Sequence, residues 1–505
     1  TISSLFTKLL AFVQKQLITN THTENNPMPD KKMNIAFIVS EVEDIIKTGG
    51  LADVAKALPL AYAARGHEVC IVMPAYKVVI DQFNLTPQSE FTSSAHQFKY
   101  YEHDLGNVKI HLIGHRCFDR DGLYAENNMA YPDNGERFGL FSAAVIDLLQ
   151  NINLAPDIMH CNDWHTALVP FFVKHHQHQF VQGFFAHTKT VLTIHNAAFQ
   201  GSFAVDDMPM LMPYHQALNC QQHTHINMMK IGIAHADKIT AVSPTYAQEI
   251  LTELGGHGLH HVLQNRSADL TGILNGCDYS QWDPSNDPFI PAHFEQNNLT
   301  GKAKCKAALQ AKSGFTHAPN TPLMGMVCRL TTQKGFDYIL PILGDLLGHN
   351  LGLVIVGTGD PFICQQLADL SRVHPDKFKF IHGFEPELAH LVEAGSDFFL
   401  MPSEFEPCGL NQMYSLAYGT LPIVRNVGGL SDTVIGIDQN PNQATGFVFD
   451  APAPDALLTC VRRALLLYLE QPEQFKTMQL RAMQTKFTWA DAAQEFEVLF
   501  LKTIH

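Results

Sequence analysis

Short apolar runs rich in Val, Ile, Leu and Phe recur along the chain, separated by stretches whose apolar residues fall three and four apart. The run Met33-Asn34-Ile35-Ala36-Phe37-Ile38-Val39 reads as a buried strand. From Leu51 onward the apolar positions Val54, Ala55, Leu58 and Tyr62 keep helical spacing, and Gly66 follows as a helix stop. The same logic predicts strands at 69–73, 109–113, 157–160, 190–194 and 237–242. A second set is predicted at 323–328, 352–356, 378–381, 397–401, 421–425 and 446–449, with helices such as 336–347 and 361–372 between them. Strand and helix alternating over such lengths predict an α/β fold of parallel, doubly wound sheets. Two sets of about six strands make two Rossmann-like domains facing across a cleft.

The breaker-rich stretch Trp282-Asp283-Pro284-Ser285-Asn286-Asp287-Pro288 marks the start of a linker. The expected organisation is a non-core extension at 1–32, a first domain at 33–282, linker and second domain at 283–487, and a terminal helix at 488–505 packing back on the first domain. Residues 1–32 fit neither a secretory leader nor a transit peptide.

A length of 505 residues exceeds one core, and 46% hydrophobic with 16% charged residues describes a well-packed enzyme. Acidic residues (49) exceed Lys plus Arg (34) by 15, which argues against nucleic acid or an anionic membrane as partner. An anionic ligand must therefore be held by a few focused cations. No apolar run reaches membrane-spanning length. The ten cysteines form no CxxC pair, which speaks against a zinc ribbon and for a reducing cytoplasm.

The chemistry-bearing residues follow strand ends, where open α/β sheets collect ligands. Lys47-Thr48-Gly49-Gly50 lies between strand and helix, and reads either as a tight packing turn or as a phosphate site built from amides, helix dipole and one lysine. Arg329 and Lys334 are two cations a short loop apart, suited to clamping a diphosphate. Glu406, ahead of Cys408, Gly409 and Leu410, either caps a helix or receives sugar hydroxyls while the following amides donate to the same ligand. Gly419-Thr420-Leu421-Pro422 and Gly428-Gly429-Leu430 add a further candidate anion site. His160-Cys161-Asn162-Asp163-Trp164-His165 invites a metal reading, but no second ligand cluster matches it, and a polar carbohydrate pocket is better supported. His195-Asn196 ends its strand in the same manner.

Together these residues resemble the bacterial glycogen synthase and plant starch synthase family, from near Met33 to the end of the chain. The likeness shows in KTGGLADV (47–54), YPDNGERF (131–138), HCNDWHTAL (160–168), TIHNAAFQG (193–201) and AVSPTYAQEI (241–250). It continues in GILNGCD (272–278), CRLTTQKG (328–335), FEPCGL (405–410) and YGTLPIVRNVGGLSDTV (418–434). The resemblance implies a GT-B fold and retaining transfer of glucose from ADP-glucose to the non-reducing 4-hydroxyl of an α-1,4-glucan, with no cofactor and no metal. Carried over by motif, Lys47, Gly49 and Gly50 border the donor diphosphate, with Asp53 nearby, and Arg329 and Lys334 stabilise the leaving ADP. Asp163, His195 and Asn196 line the glucose site, Glu406 with the backbone of Cys408, Gly409 and Leu410 holds glucose hydroxyls, and Asn275 faces the cleft. Thr420 is expected among the substrate contacts. Two departures stand out: Tyr414 occupies the position eight beyond Glu406 where related retaining transferases carry a second Glu, and Phe384 replaces the tyrosine that stacks on adenine.

Overall fold

The computed structural model describes residues 31–126, 129–175, 183–218, 224–316 and 318–505, so the expected extension at 1–32 lies almost wholly outside the described residues. Nine strands form the first sheet: β1 (Asn34–Ile38), β2 (Glu68–Pro74), β3 (Ser89–Ser93), β4 (His96–Leu105), β5 (Val108–Gly114), β6 (Ile158–Asn162), β7 (Lys189–Ile194), β8 (Lys238–Ala241) and β9 (Leu270–Gly272). Their spatial order is β9-β8-β7-β6-β1-β2-β5-β4-β3. All neighbours are parallel except at one edge, where β4 runs antiparallel to both β5 and β3. The second sheet holds β10 (Leu323–Val327), β11 (Gly352–Gly357), β12 (Phe378–His382), β13 (Phe398–Met401), β14 (Leu421–Arg425) and β15 (Phe447–Phe449). It is parallel throughout, in the order β12-β11-β10-β13-β14-β15.

The order of strands decides where a ligand can go. In the first sheet the connections leave β1 in opposite directions, to β2 on one side and β6 on the other. In the second sheet β10 stands likewise between β11 and β13. Loops at such switch points diverge and leave a crevice beyond the carboxyl ends of the strands. The crevices are floored by the turn at 40–50 and the segment from Asp163 in the first sheet, and by the loops at 328–335 and 402–410 in the second.

Helix α1 (Gly50–Ala64) follows the glycine turn and ends at Arg65, with Gly66 just beyond it in the left-handed region at φ 93°. It buries Leu51, Val54, Leu58 and Tyr62. The last helix, α2 (Trp489–Ile504), opens with a capping box between Thr488 and Asp491 and packs against α1. Phe496 and Phe500 meet Tyr62 edge-on or tilted, and Arg65 Nε donates to Glu497 Oε2 at 2.6 Å. His160 lies in this same core: register pairs it with Phe37, its ring contacts Phe496, and its Nε2 shares a 2.6 Å hydrogen bond with Thr193 Oγ1. Burial pushes its pKa down to about 3, so this histidine is a neutral core residue. Among the described residues no helix is long and apolar enough to cross a membrane.

Candidate active site

One large cavity, of about 1190 Å³, lies between the two sheets' switch points and takes lining residues from both. From the first sheet come Lys47, Gly49, Gly50, Asp53, Asp163, His195, Asn196 and Asn275. From the second come Arg329, Lys334, Phe384, Glu406, Cys408, Gly409 and Leu410. Thr420 is the exception. Its side chain is fully buried behind β14, where the hydroxyl donates to backbone carbonyls of the helix beneath and accepts from Lys302 Nζ at 2.7 Å. The expectation that Thr420 contacts substrate is therefore corrected: it stands before a strand rather than after one, at the wrong end of the sheet for the cleft.

The glycine turn is more occupied than its sequence suggests. Glu41, near the end of β1, accepts from Thr48 N at 2.6 Å and Thr48 Oγ1 at 2.8 Å, and also from the amide of Gly49. The negative group satisfying this turn is a carboxylate of the chain itself, and its burial raises its pKa. Lys47 Nζ donates to Asp53 Oδ1 at 2.6 Å and Glu43 Oε1 at 2.8 Å, and its side chain is still 42% exposed. Burial opposes its charge, but those two carboxylates outweigh burial and raise its pKa.

Across the cavity, Lys334 Nζ donates to Glu406 Oε2 at 2.6 Å, and Ser403 Oγ donates to the same oxygen at 2.9 Å. Arg329 lines the cavity, exposed, and makes no ion pair with any described residue. The loop carrying Glu406 depends on glycines that allow close backbone approach. A Cβ on Gly428, whose φ is 42°, would sit 2.0 Å from Glu406 O, and one on Gly335 (φ 83°) would sit 2.1 Å from Pro402 O. Gly429 N donates to Glu406 O at 3.1 Å.

Asp163 adopts φ 58°, a left-handed conformation for a side-chain-bearing residue. The turn presents its Oδ1 to His195 N at 2.8 Å and Asn196 N at 3.5 Å. Burial pushes its pKa up to about 7, against the pull of those two amides. His195 Nε2 pairs with Asn162 Oδ1 at 2.9 Å, and burial lowers its pKa to about 3. Trp164 lines the cavity with its edge against Gly201, where an added Cβ would be 2.3 Å away. Among the described residues no group of three or more His, Cys, Asp or Glu side chains converges as a metal ligand set.

Sequence reading missed several lining residues. Glu41 follows a strand end, and the rule applied to Asp163 would have found it. Trp282, read only as a linker marker, lies flat between His390 and Tyr414, with ring centroids 3.8 and 3.9 Å away and planes within 7°. His390 Nδ1 and Tyr418 OH both bond the buried Asp287 carboxylate. The linker thus closes one wall of the cavity. Phe384, 66% exposed, stands free at its mouth.

The sequence over residues 34–265 matches the starch synthase catalytic domain family, and residues 310–479 match glycosyl transferases group 1. A glycogen synthase of Aeromonas hydrophila is 50% identical over 479 residues, covering 93% of this chain and 98% of that protein. The chain belongs to the glycogen and starch synthase family. A second family member, the glycogen synthase of Vibrio atlanticus, is 50% identical over 485 residues, or 94% of this chain and 99% of the relative. The catalytic domain of starch synthase IV from Arabidopsis thaliana, solved with ADP and acarbose, superposes with a TM-score of 0.85 at 30% identity, over 94% of this chain and 100% of that one. A sucrose-phosphate synthase from Thermosynechococcus elongatus shares the fold at TM-score 0.57 and 17% identity, over 93% and 99% of the two chains. The architecture is GT-B, and the chain is a glucosyltransferase of a family whose activity is glucosyl transfer from ADP-glucose.

Proposed function

We propose that this enzyme transfers glucose from ADP-glucose to the non-reducing 4-hydroxyl end of an α-1,4-glucan such as glycogen, with retention, releasing ADP and needing no metal. The observation that carries this reading is the convergence of Arg329, Lys334 and the Glu406 loop with Lys47, Asp163 and His195 on one cavity. Arg329, unpaired among the described residues, and Lys334 would take the leaving diphosphate, whose charge grows as the glycosidic bond breaks. Phe384 would stack on the adenine, and Glu406 with the amides after it would hold glucose hydroxyls. The first domain, with Trp164 and Phe199 on the cavity wall, would carry the acceptor.

For retention the reading favours attack on the same face as departure, with the leaving phosphate drawing off the acceptor proton. Both candidate carboxylates are already committed. Glu406 holds Lys334 and Ser403, and Asp163 holds two backbone amides. That suits positioning better than service as a free nucleophile. The test is incorporation of labelled glucose into glycogen from ADP-glucose in the presence of a chelator, with UDP-glucose in parallel. Robust incorporation from ADP-glucose, and much less from UDP-glucose, is expected. No incorporation from ADP-glucose would overturn the assignment.

A further inference from the structure

The segment Ala241-Val242-Ser243-Pro244-Thr245-Tyr246-Ala247-Gln248-Glu249-Ile250 lines the cavity only through Val242, yet it touches both halves of the site. It forms a short helix (Pro244–Glu249) after β8 that buries Tyr246 and Ala247 and packs on the helix Gly428–Thr433 of the other domain. On its own side, Tyr246 OH accepts from Ala197 N at 2.8 Å, next to His195 and Asn196. Toward the other domain, Ser243 Oγ donates to Pro407 O at 2.7 Å, one residue after Glu406. Glu249 Oε1 accepts from Gly428 N at 2.9 Å, the glycine whose close approach supports the Glu406 peptide. Asp432 closes the set, accepting from Thr245 N at 2.9 Å and Thr245 Oγ1 at 2.6 Å.

We infer that this helix is a strut that sets the Glu406 loop of one domain against the Asp163 and His195 groups of the other, and that Tyr246 and Glu249 are positioning residues for glucosyl transfer. Four of its side chains (Ser243, Thr245, Tyr246 and Glu249) make hydrogen bonds that join the two glucose-site loops. None of the four lines the cavity, so none needs to touch substrate. The diphosphate cations Arg329 and Lys334 stand on a separate loop, after β10. That loop is tied to the Glu406 loop within one domain by the Lys334–Glu406 bond, so loosening the strut shifts both together against Asp163 and His195 and leaves the nucleotide cations in place beside Glu406. Both bonded carboxylates are used as acceptors, and at position 249 the acceptor oxygen facing Gly428 N is what the strut needs.

This inference rests on the transfer reaction proposed above and is separable from it. Glu249→Ala and Tyr246→Phe are compared with Glu249→Gln, whose amide oxygen still accepts from Gly428 N, and turnover with ADP-glucose and glycogen is measured beside calorimetric ADP affinity. A misplacement of about an ångström costs on the order of 10- to 100-fold in rate, and that loss of kcat is expected for Glu249→Ala and Tyr246→Phe. ADP affinity stays within about threefold of the parent, the pattern of an interaction made only in the transition state. Glu249→Gln restores most of the turnover. If Glu249→Ala does not fold, Thr245→Val, which removes one hydroxyl, takes its place. Near-parental turnover in Glu249→Ala or its stand-in, a parallel fall in ADP affinity, or a Gln variant as slow as the Ala variant would each overturn the strut. An unaltered enzyme that binds ADP but transfers no glucose would instead overturn the assigned reaction.

Discussion

Lys334 Nζ sits 2.6 Å from Glu406 Oε2, joining the loop after β10 to the loop after β13 across the switch point of the second sheet. Glu406 is only 6% exposed, and beyond Lys334 its partner is a single serine hydroxyl. Removing the lysine does two things at once. On the proposed assignment it takes a cation from the leaving diphosphate, and it strands a buried carboxylate. Lys334→Ala and Arg329→Ala are each expected to lower kcat on the order of 10²-fold or more through lost leaving-group stabilisation. Only Lys334→Ala should also lower the melting temperature, because Arg329 is exposed and pairs with no described residue. Steady-state rates and thermal melts of the two variants check both statements.

Asp163 gives the reaction a pH dependence of definite sign. Its folded pKa of about 7 lies well above the ordinary aspartate value. The folded protein therefore keeps a proton that the unfolded chain has already released, and the resulting stability is lost as pH rises through about 7. Wild type should lose about 3 kcal/mol between pH 5 and pH 8 from this group alone. Asp163→Asn should show a flatter profile in urea melts at the two values. Activity runs the other way. On the proposed assignment of Asp163 to the glucose site, the ionised carboxylate is the form that would stabilise positive charge at the anomeric carbon, so kcat should rise through about pH 7, and this limb should vanish in the Asn variant. His195, held neutral with a pKa of about 3, contributes no limb in that range.

Phe384 stands exposed at the cavity mouth on a segment that begins with Gly383 at φ 128°. A ring so placed gains its contact surface only when a base lies against it. Phe384→Ala should raise the KM for ADP-glucose by roughly 5- to 100-fold, the range of one aromatic stack on a base. It should leave kcat nearly unchanged, and Phe384→Tyr should match the parent. Initial rates over a series of donor concentrations distinguish these outcomes.

Gly428→Ala should be as damaging as a substitution in the cavity itself. The new methyl would lie 2.0 Å from the Glu406 carbonyl oxygen, so the backbone must move and carry Glu406 with it. Loss of most activity together with a clear drop in melting temperature is expected. Gly344→Ala, in a helix where nothing lies within 4 Å of the new Cβ, is the control and should leave activity unchanged and the melting temperature equal or slightly higher.

Every strand anticipated from apolar runs is present, because a strand buried on both faces declares itself by continuous hydrophobicity. The antiparallel edge formed by β3 and β4 was not anticipated. Its residues alternate with solvent, as in His96-Gln97-Phe98-Lys99-Tyr100, and no long apolar run marks it. The cavity was legible wherever an unusual residue follows a strand end, as at Arg329, Asp163 and Glu406. What could not be read was which groups satisfy one another. Nothing in the spacing of Glu41, Glu43 and Asp53 says that they take up Thr48 and Lys47, or that Trp282 stacks between rings more than a hundred residues away. Such pairings depend on the meeting of segments distant in sequence. Thr420 fell to the same difficulty, since its motif looks the same whether it enters or leaves a strand.

The core around His160 has a consequence for how the molecule comes into being. Tyr62, His160 and Phe37 belong to the first domain, but the rings that cover them, Phe496 and Phe500, follow the second domain in sequence and are made after it. Domains ordinarily fold in the order of their synthesis. Here the earlier domain must wait, its apolar face open, until the later one has been made and its final helix has crossed back. The first domain is closed only after the second has been synthesised.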